Sequence, residues 1–147
     1  MEISLKPIQI EDINMFDQTE YGNLTKEKRI KLVTDSIKGE SCGKYFKFYL
    51  IFVDNVNVGF INVCGHSKSV VSVAPEIKQS YRKKGYAFSS MKKALDLVKE
   101  QGYKIAVAGI KIDNVASQKL QEKLGFEYVQ NVFSKNGNQL KYYVKQL

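Results

Sequence analysis

At 147 residues the chain is long enough for one ordinary domain with a sizeable core, and too short for a separate lid or second catalytic domain. Hydrophobic residues make up 44% and charged residues 26%, with no low-complexity bias, which excludes a disordered or collagen-like chain. The formal net charge of +8 asks for an anionic partner, whether nucleic acid, a membrane surface or a phosphorylated cofactor.

The amino terminus has no basic stretch followed by an apolar run, and the apolar block Tyr49 to Val53 is far too short to span a bilayer. A cytoplasmic location without a membrane partner is expected. Cys42 and Cys64 read as free thiols in a chain with no export signal. No CxxC pair or His-rich set is present, so no metal site is expected.

In chain order, Ile3, Leu5 and Ile8 predict a first strand interrupted near Pro7, and Glu11-Asp12 opens a short helix with Ile13 and Phe16 on one face. Thr25 is placed to cap a second, amphipathic helix in which Ile30, Val33 and Ile37 recur before Gly39. Tyr45 to Val53 and Val56 to Cys64 predict an antiparallel pair closed by the turn residues Asp54-Asn55. The aromatics of the first of these, Tyr45, Phe46, Phe48, Tyr49 and Phe52, read as core rather than as a substrate wall.

Ser69 to Lys78 predicts another strand, in which Pro75 implies a bulge or an unpaired edge. Phe88, Met91, Leu95 and Val98 share one face of a helix ending at Gly102. Ile105 and Val107 fall out of phase with Ile110 and Ile112, which suggests a bulge at Gly109 where the strand bends or diverges. Asp113-Asn114 caps a helix carrying Leu120 and Leu124 and ended by Gly125. A final hairpin then joins Phe126 to Phe133 with Leu140 to Val144 across Asn136-Gly137. This order of elements requires a mixed sheet with helices on its faces, an α/β domain.

Chemistry concentrates in Gln79-Ser80-Tyr81-Arg82-Lys83-Lys84-Gly85-Tyr86-Ala87, which joins a strand to a helix N-terminus. Unpaired N–H donors, the positive end of the helix dipole and three successive cations make a site for a diphosphate, and Lys78, Lys92 and Lys93 extend the positive field. The alternative is a solvated basic turn. Arg82-Lys83-Lys84-Gly85-Tyr86-Ala87 resembles the acyl-CoA pyrophosphate loop, Gln/Arg-x-x-Gly-x-Gly/Ala, of the GNAT superfamily of N-acetyltransferases. Asn114-Val115-Ala116-Ser117, Leu120, Glu122-Lys123-Leu124 and Gly125-Phe126 resemble the helix after the fifth strand in that superfamily, especially its ribosomal-protein N-terminal acetyltransferase branch.

The resemblance implies one GNAT-like domain over residues 1–147, α/β (α+β). Its sheet would be mixed, mostly antiparallel and of about seven strands, with helices on both faces and a splay between the fourth and fifth strands. It implies acetyl-CoA as co-substrate without a metal. Backbone at Ile77, Lys78 and Gln79 would pair with the pantetheine arm. The amides of Lys83 through Ala87, with Arg82 heading the loop, would hold the pyrophosphate, and Asn114 and Ser117 would contact the pantetheine end.

The implied reaction is direct acetyl transfer to a primary amine on a small molecule or peptide, by a monomer or homodimer, with nucleic acid not expected as a partner. Many members place a Tyr seven residues after the motif Asn to protonate the departing thiolate; this chain has Gln121, which has no acidic proton to give. Water, Ser117 or Tyr128 would then supply it. His66, the lone histidine, and Glu76, on the strand leading into the loop, are the candidate bases, against readings as an exposed turn residue and an outward carboxylate balancing lysines. Two rival readings stay open: a basic nucleic-acid-binding domain, and an acyl-CoA-binding module that does not turn over.

Overall fold

The computed structural model describes residues 2–147. The chain runs β1 (Ile3–Pro7), two 3-10 turns (Ile10–Phe16 and Glu20–Asn23), α1 (Lys26–Lys38), β2 (Glu40–Ser41), β3 (Lys44–Val53), β4 (Val56–Gly65) and β5 (Val70–Ile77). A third 3-10 turn (Gln79–Tyr81) then leads to α2 (Tyr86–Glu100), β6 (Ile105–Lys111), α3 (Val115–Lys123), β7 (Glu127–Phe133) and β8 (Gln139–Gln146). The sheet order is β1-β3-β4-β5-β6-β8-β7, with the two-residue β2 paired to β3. All neighbours are antiparallel except β5 and β6. The expected mixed, mostly antiparallel α/β architecture is thus present, with one short strand beyond the seven foreseen.

Local chemistry explains most of these elements. The β3–β4 hairpin turns through Asp54 (φ 48°) and Asn55 (φ 70°), the left-handed pair that matches strand twist in a two-residue loop. Thr25 Oγ1 accepts the Lys28 N–H, and Gly39 closes α1 at φ 77°. In α1, however, Val33 and Ser36 are buried while Ile30 and Ile37 remain exposed. The buried stripe is narrower and more polar than the sequence pattern suggests, because Ser36 Oγ accepts the Phe48 N–H at 2.8 Å and ties the helix to β3.

Each sheet face carries its own core. On one face α2 packs over β5 and β1, with Met91, Ala94, Leu95 and Val98 against Ile51, Ile61, Val71 and Val73. On the other, Phe16, Val33, Phe46, Phe48, Leu50 and Phe60 are clustered under α1 and the first 3-10 turn. Phe46, Phe48 and Tyr49 are buried, as the reading of the aromatic run as core required, whereas Phe52 and Tyr45 lie at its margins.

Of the two interruptions expected, Pro75 proves to be the unpaired edge rather than a bulge, and the bulge at Gly109 is absent. β5 pairs with β4 without a register shift from Gly59↔Ile77 to Gly65↔Val71. Lys78 N–H reaches Val58 C=O, so by alternation the backbone groups of Ile77 and Pro75 point away from β4. Pro75 therefore costs no ladder bond; it occupies an unpaired edge. β6 likewise runs in unbroken register with β8 from Ile105↔Gln146 to Lys111↔Leu140, so Gly109 is no bulge. The divergence expected there does occur, against the other neighbour: β5 and β6 pair only over Val70↔Ile105 to Ser72↔Val107 and then separate. Among the described residues no helix is long and apolar enough to cross a membrane.

Candidate active site

Where β6 leaves β5, the outer edge of β5 is exposed and leads into the loop before α2. The first bond of α2 runs from Ser89 N–H to Gly85 C=O, which leaves the N–H groups of Tyr86, Ala87 and Phe88 without a helical acceptor. Among the described residues no side chain caps this end. Lys83 (φ 63°) and Gly85 (φ 83°) both adopt the left-handed conformation, an unusual choice for lysine that turns successive backbone amides toward one side. A Cβ at Gly85 would meet no protein atom within 4 Å, so the glycine answers to backbone conformation and leaves open space above the loop.

A cleft of about 1300 Å³ runs along this edge. It brings together Glu76, Ile77, Gln79, Arg82, Lys83, Gly85, Tyr86 and Ala87 with Asn114 and Ser117 from the start of α3. Lys78 and Lys84 are not part of its lining. Both backbone groups of Lys78 are spent, its N–H on Val58 C=O and its C=O on Tyr81 N–H, so a pairing role for that residue is corrected: Ile77 presents the free edge. Burial lowers the Lys78 ammonium pKa, partly offset by Asp17. Asn114 Oδ1 accepts the Ser117 N–H as the cap of α3, which commits that oxygen to the helix.

A smaller cavity of about 270 Å³ continues between β5 and β6, lined by Val73, Pro75, Val107, Gly109, Ser117 and Gln121 among others. Gln121 is only 3% exposed and its Oε1 has no hydrogen-bond partner among the described residues. Tyr128 reaches neither cavity; its hydroxyl donates to Asn131 Oδ1 at 2.7 Å and half its surface is in solvent. Of the three proton donors considered, Ser117 alone among the side chains lines both spaces.

Glu76 projects into the cleft from β5. Burial raises its pKa above that of an ordinary carboxyl, the Glu20 charge adds to this, and Arg82 together with the Glu20 backbone N–H opposes it. Arg82, just past the third 3-10 turn, folds back on the end of β5: Nη2 donates to Glu76 Oε1 at 3.1 Å and Nε donates to Ile77 C=O at 2.9 Å. The sequence reading gave Arg82 only to the cofactor loop and missed this fold-back. His66 stands apart. It is exposed, with Nε2 3.0 Å from Ser72 Oγ, and Ser72 lies four residues along β5 from Glu76, about 13 Å.

The opposite wall comes from a stretch in which the sequence shows no motif. Asp17, Gln18, Thr19 and Glu20 face the loop across the cleft. Thr19 Oγ1 accepts the Tyr21 N–H and sets the second 3-10 turn, and Arg29 anchors the segment through Asp17 Oδ1 at 2.7 Å and the carbonyls of Ile13, Gly22 and Leu24. Behind it Tyr21 packs edge-on against Phe16, Phe48 and Phe60 and accepts from Asn62 Nδ2 at 3.4 Å. Burial, then Glu20 and Glu76, push the Tyr21 pKa up to about 12. A capping threonine was the one available sequence signal here. Both cysteines are free, and no group of three or more His, Cys, Asp or Glu among the described residues is placed to hold a metal ion.

Residues 3–127 match the acetyltransferase (GNAT) domain family. An acetyl transferase from Salmonella typhimurium that modifies the N-terminal serine of 50S ribosomal subunit protein L7/L12 aligns with a TM-score of 0.83 at 16% identity, covering 99% of this chain and 95% of that one. A chimera of the spermidine N-acetyltransferase SpeG from Vibrio cholerae and hSSAT gives 0.85 at 11% identity, covering 99% and 96%. The PaiA N-acetyltransferase from Thermoplasma acidophilum, in complex with coenzyme A, gives 0.77 at 16% identity over 100% of both chains. Curated protein sequences yield no match.

Proposed function

Because the chain belongs to the GNAT acetyltransferase domain family, we propose that it transfers an acetyl group from acetyl-CoA to a primary amine by direct attack, both substrates being bound together in one catalytic domain. The observation that carries this reading is the open backbone edge of β5 running straight into an uncapped helix N-terminus. An extended pantetheine arm can take the place of the missing strand against Ile77, and the amides around Lys83 to Ala87 suit a diphosphate. Arg82, Lys83 and Lys84 supply positive charge at the same end, and Asn114 and Ser117 border the inner end of the channel.

Acetyl-CoA supplies an activated acyl group, so the residues of this chain mainly position and deprotonate. Glu76 is the base in this reading. Its raised pKa lets it hold a proton from the incoming ammonium better than an ordinary carboxylate does, and it faces the cleft between the β5 edge and the Asp17–Glu20 wall. The carboxylates of Glu20 and Glu76 favour an ammonium over a neutral or anionic acceptor. The amine nitrogen, once neutral, attacks the thioester carbon. Attack leaves the nitrogen cationic, and it gives its second proton to water as the intermediate collapses; the CoA sulfur leaves with the bonding pair and takes a proton from water, directly or through Ser117, since Gln121 has none to give. His66 has no part, because it lies outside the cleft.

The test is an amine screen that follows release of the CoA thiol, spanning peptide N-termini, polyamines, amino sugars and lysine derivatives. At least one cationic amine class is expected to release thiol in an acceptor-dependent way. Tight acetyl-CoA binding without thiol release from any amine would instead favour a binding module.

A further inference from the structure

Arg82 occupies the place where a ligand strand would have to lie. Its Nε donates at 2.9 Å to Ile77 C=O, and Ile77 is the residue whose backbone groups point off the free edge of β5. A strand added to that edge has its backbone about 4.8 Å away, a gap that a guanidinium bonded to the carbonyl fills. The same guanidinium donates through Nη2 to Glu76 Oε1 at 3.1 Å. One side chain therefore holds both the first acceptor on the open edge and the carboxylate that faces the cleft.

We propose that Arg82 is a positioning residue that acts as a latch: it caps Ile77 C=O and restrains Glu76 while the edge is free, and pairing of the pantetheine arm with that carbonyl displaces it and releases Glu76. The inference rests on the reading of the β5 edge as the acyl-CoA site. The freed guanidinium heads the Arg82-Lys83-Lys84 run, so in this proposal its charge is available to the diphosphate once the carboxylate is released.

The remaining groups around Glu76 set the sign. Glu20 and Tyr21 face it from the second 3-10 turn, and the cross-strand residue on β4, Phe60, carries no charge. Glu20 and burial favour the protonated carboxyl; among the described residues Arg82 is the one cation at hydrogen-bond distance that opposes them. Withdrawing Arg82 therefore raises the proton affinity of Glu76, which makes it a better match for an ammonium at the moment acetyl-CoA is in place. By linkage, a proton is taken up on binding in the pH range where Glu76 titrates.

The experiment follows the Glu76 side-chain carboxyl by carbon NMR across pH, its signal assigned by loss in Glu76→Gln, in free protein and at saturating coenzyme A. In the wild type, coenzyme A is expected to raise the Glu76 midpoint by about one pH unit. In Arg82→Met the midpoint is expected to be high already without ligand and to move by less than half as much. Lys99→Met, which removes a cation of the same kind from the last turn of α2, outside the cleft, should retain the full ligand-linked rise. Arg82→Gln stands in should Arg82→Met fail to fold. An unchanged wild-type midpoint at saturating coenzyme A, or an equal rise in the Arg82 variants, overturns the latch while leaving the site intact. Failure of coenzyme A to bind the wild type overturns the site and the latch together.

Discussion

Glu76 is held between burial, which drives its carboxyl toward the protonated form, and Arg82, which favours the anion. Since the first influence prevails, a Glu76-dependent rate should fall on acidification at a pH above the range of an ordinary glutamate and recover as pH rises through its pKa. In a pH profile of kcat/KM, that acid limb is expected in the wild type and expected to vanish in Glu76→Gln, together with a loss of about a hundredfold. A limb that survives the substitution would move the base elsewhere.

Gln121 makes a different case at the same scale, because its Oε1 is buried with nothing to satisfy it. Gln121→Leu is expected to stabilise the free protein by about 1 kcal/mol in urea unfolding, and to keep turnover within about tenfold. A thousandfold loss with acetyl-CoA affinity unchanged would show that the carboxamide takes part in the chemistry. That Gln121 differs from the usual family residue was readable in the sequence; that it would be an orphaned acceptor at the end of a cavity was not, since helix phase alone does not say what lies opposite.

Between β4 and β5 the site depends on a missing side chain. A Cβ on Gly59 would collide with the Glu76 carbonyl oxygen and crowd Ile77 Cα, just where β5 presents both residues to the cleft. The β3–β4 ladder also shifts register at Ile51/Phe52, opposite Gly59. Gly59→Ala should cost about 2 kcal/mol of stability by forcing the end of β5 outward, and should weaken acetyl-CoA binding as well. A variant of wild-type stability and affinity would show that the end of β5 is soft.

This contact is invisible in sequence, where Gly59 is one small residue in a β-branched run. Pro75 and Gly109 illustrate the same limit from the other side. Both carried a real signal of interrupted pairing, yet sequence could not distinguish a bulge within a ladder from a ladder that simply ends. The loop from Gln79 to Ala87 was legible because its run of cations and its glycine before a helix are local signals, although the left-handed turn at Lys83 was not. The Asp17–Glu20 wall was not, since it depends on Arg29 folding back from α1 onto carbonyls up to sixteen residues earlier.

Across the whole molecule, the sheet divides two cores, and the cleft opens where the sheet itself comes apart. The packed half, β1, β3, β4 and β5, holds the Glu76 side of the site, while β6 and α3, backed by β8 and β7, form the other bank. The strand alternation and cap signals made this division of elements readable, but not the insertion of β8 between β6 and β7, because hairpin partners look alike whichever strand joins the sheet. A ligand lying across the divide binds the folded state alone and should stabilise it.

One titration tests the acyl-CoA site most directly, acetyl-CoA into the wild type and into Gly85→Asp, with Gly85→Asn as a control for the left-handed turn at φ 83°. Aspartate would place a carboxylate over the loop amides in the open space above Gly85, where the diphosphate is proposed to lie. The expected result is saturable one-to-one binding by the wild type, a modest loss in Gly85→Asn, and a loss of at least about a hundredfold in a folded Gly85→Asp, which corresponds to ~2.7 kcal/mol. Equal affinity in the wild type and Gly85→Asp would contradict it.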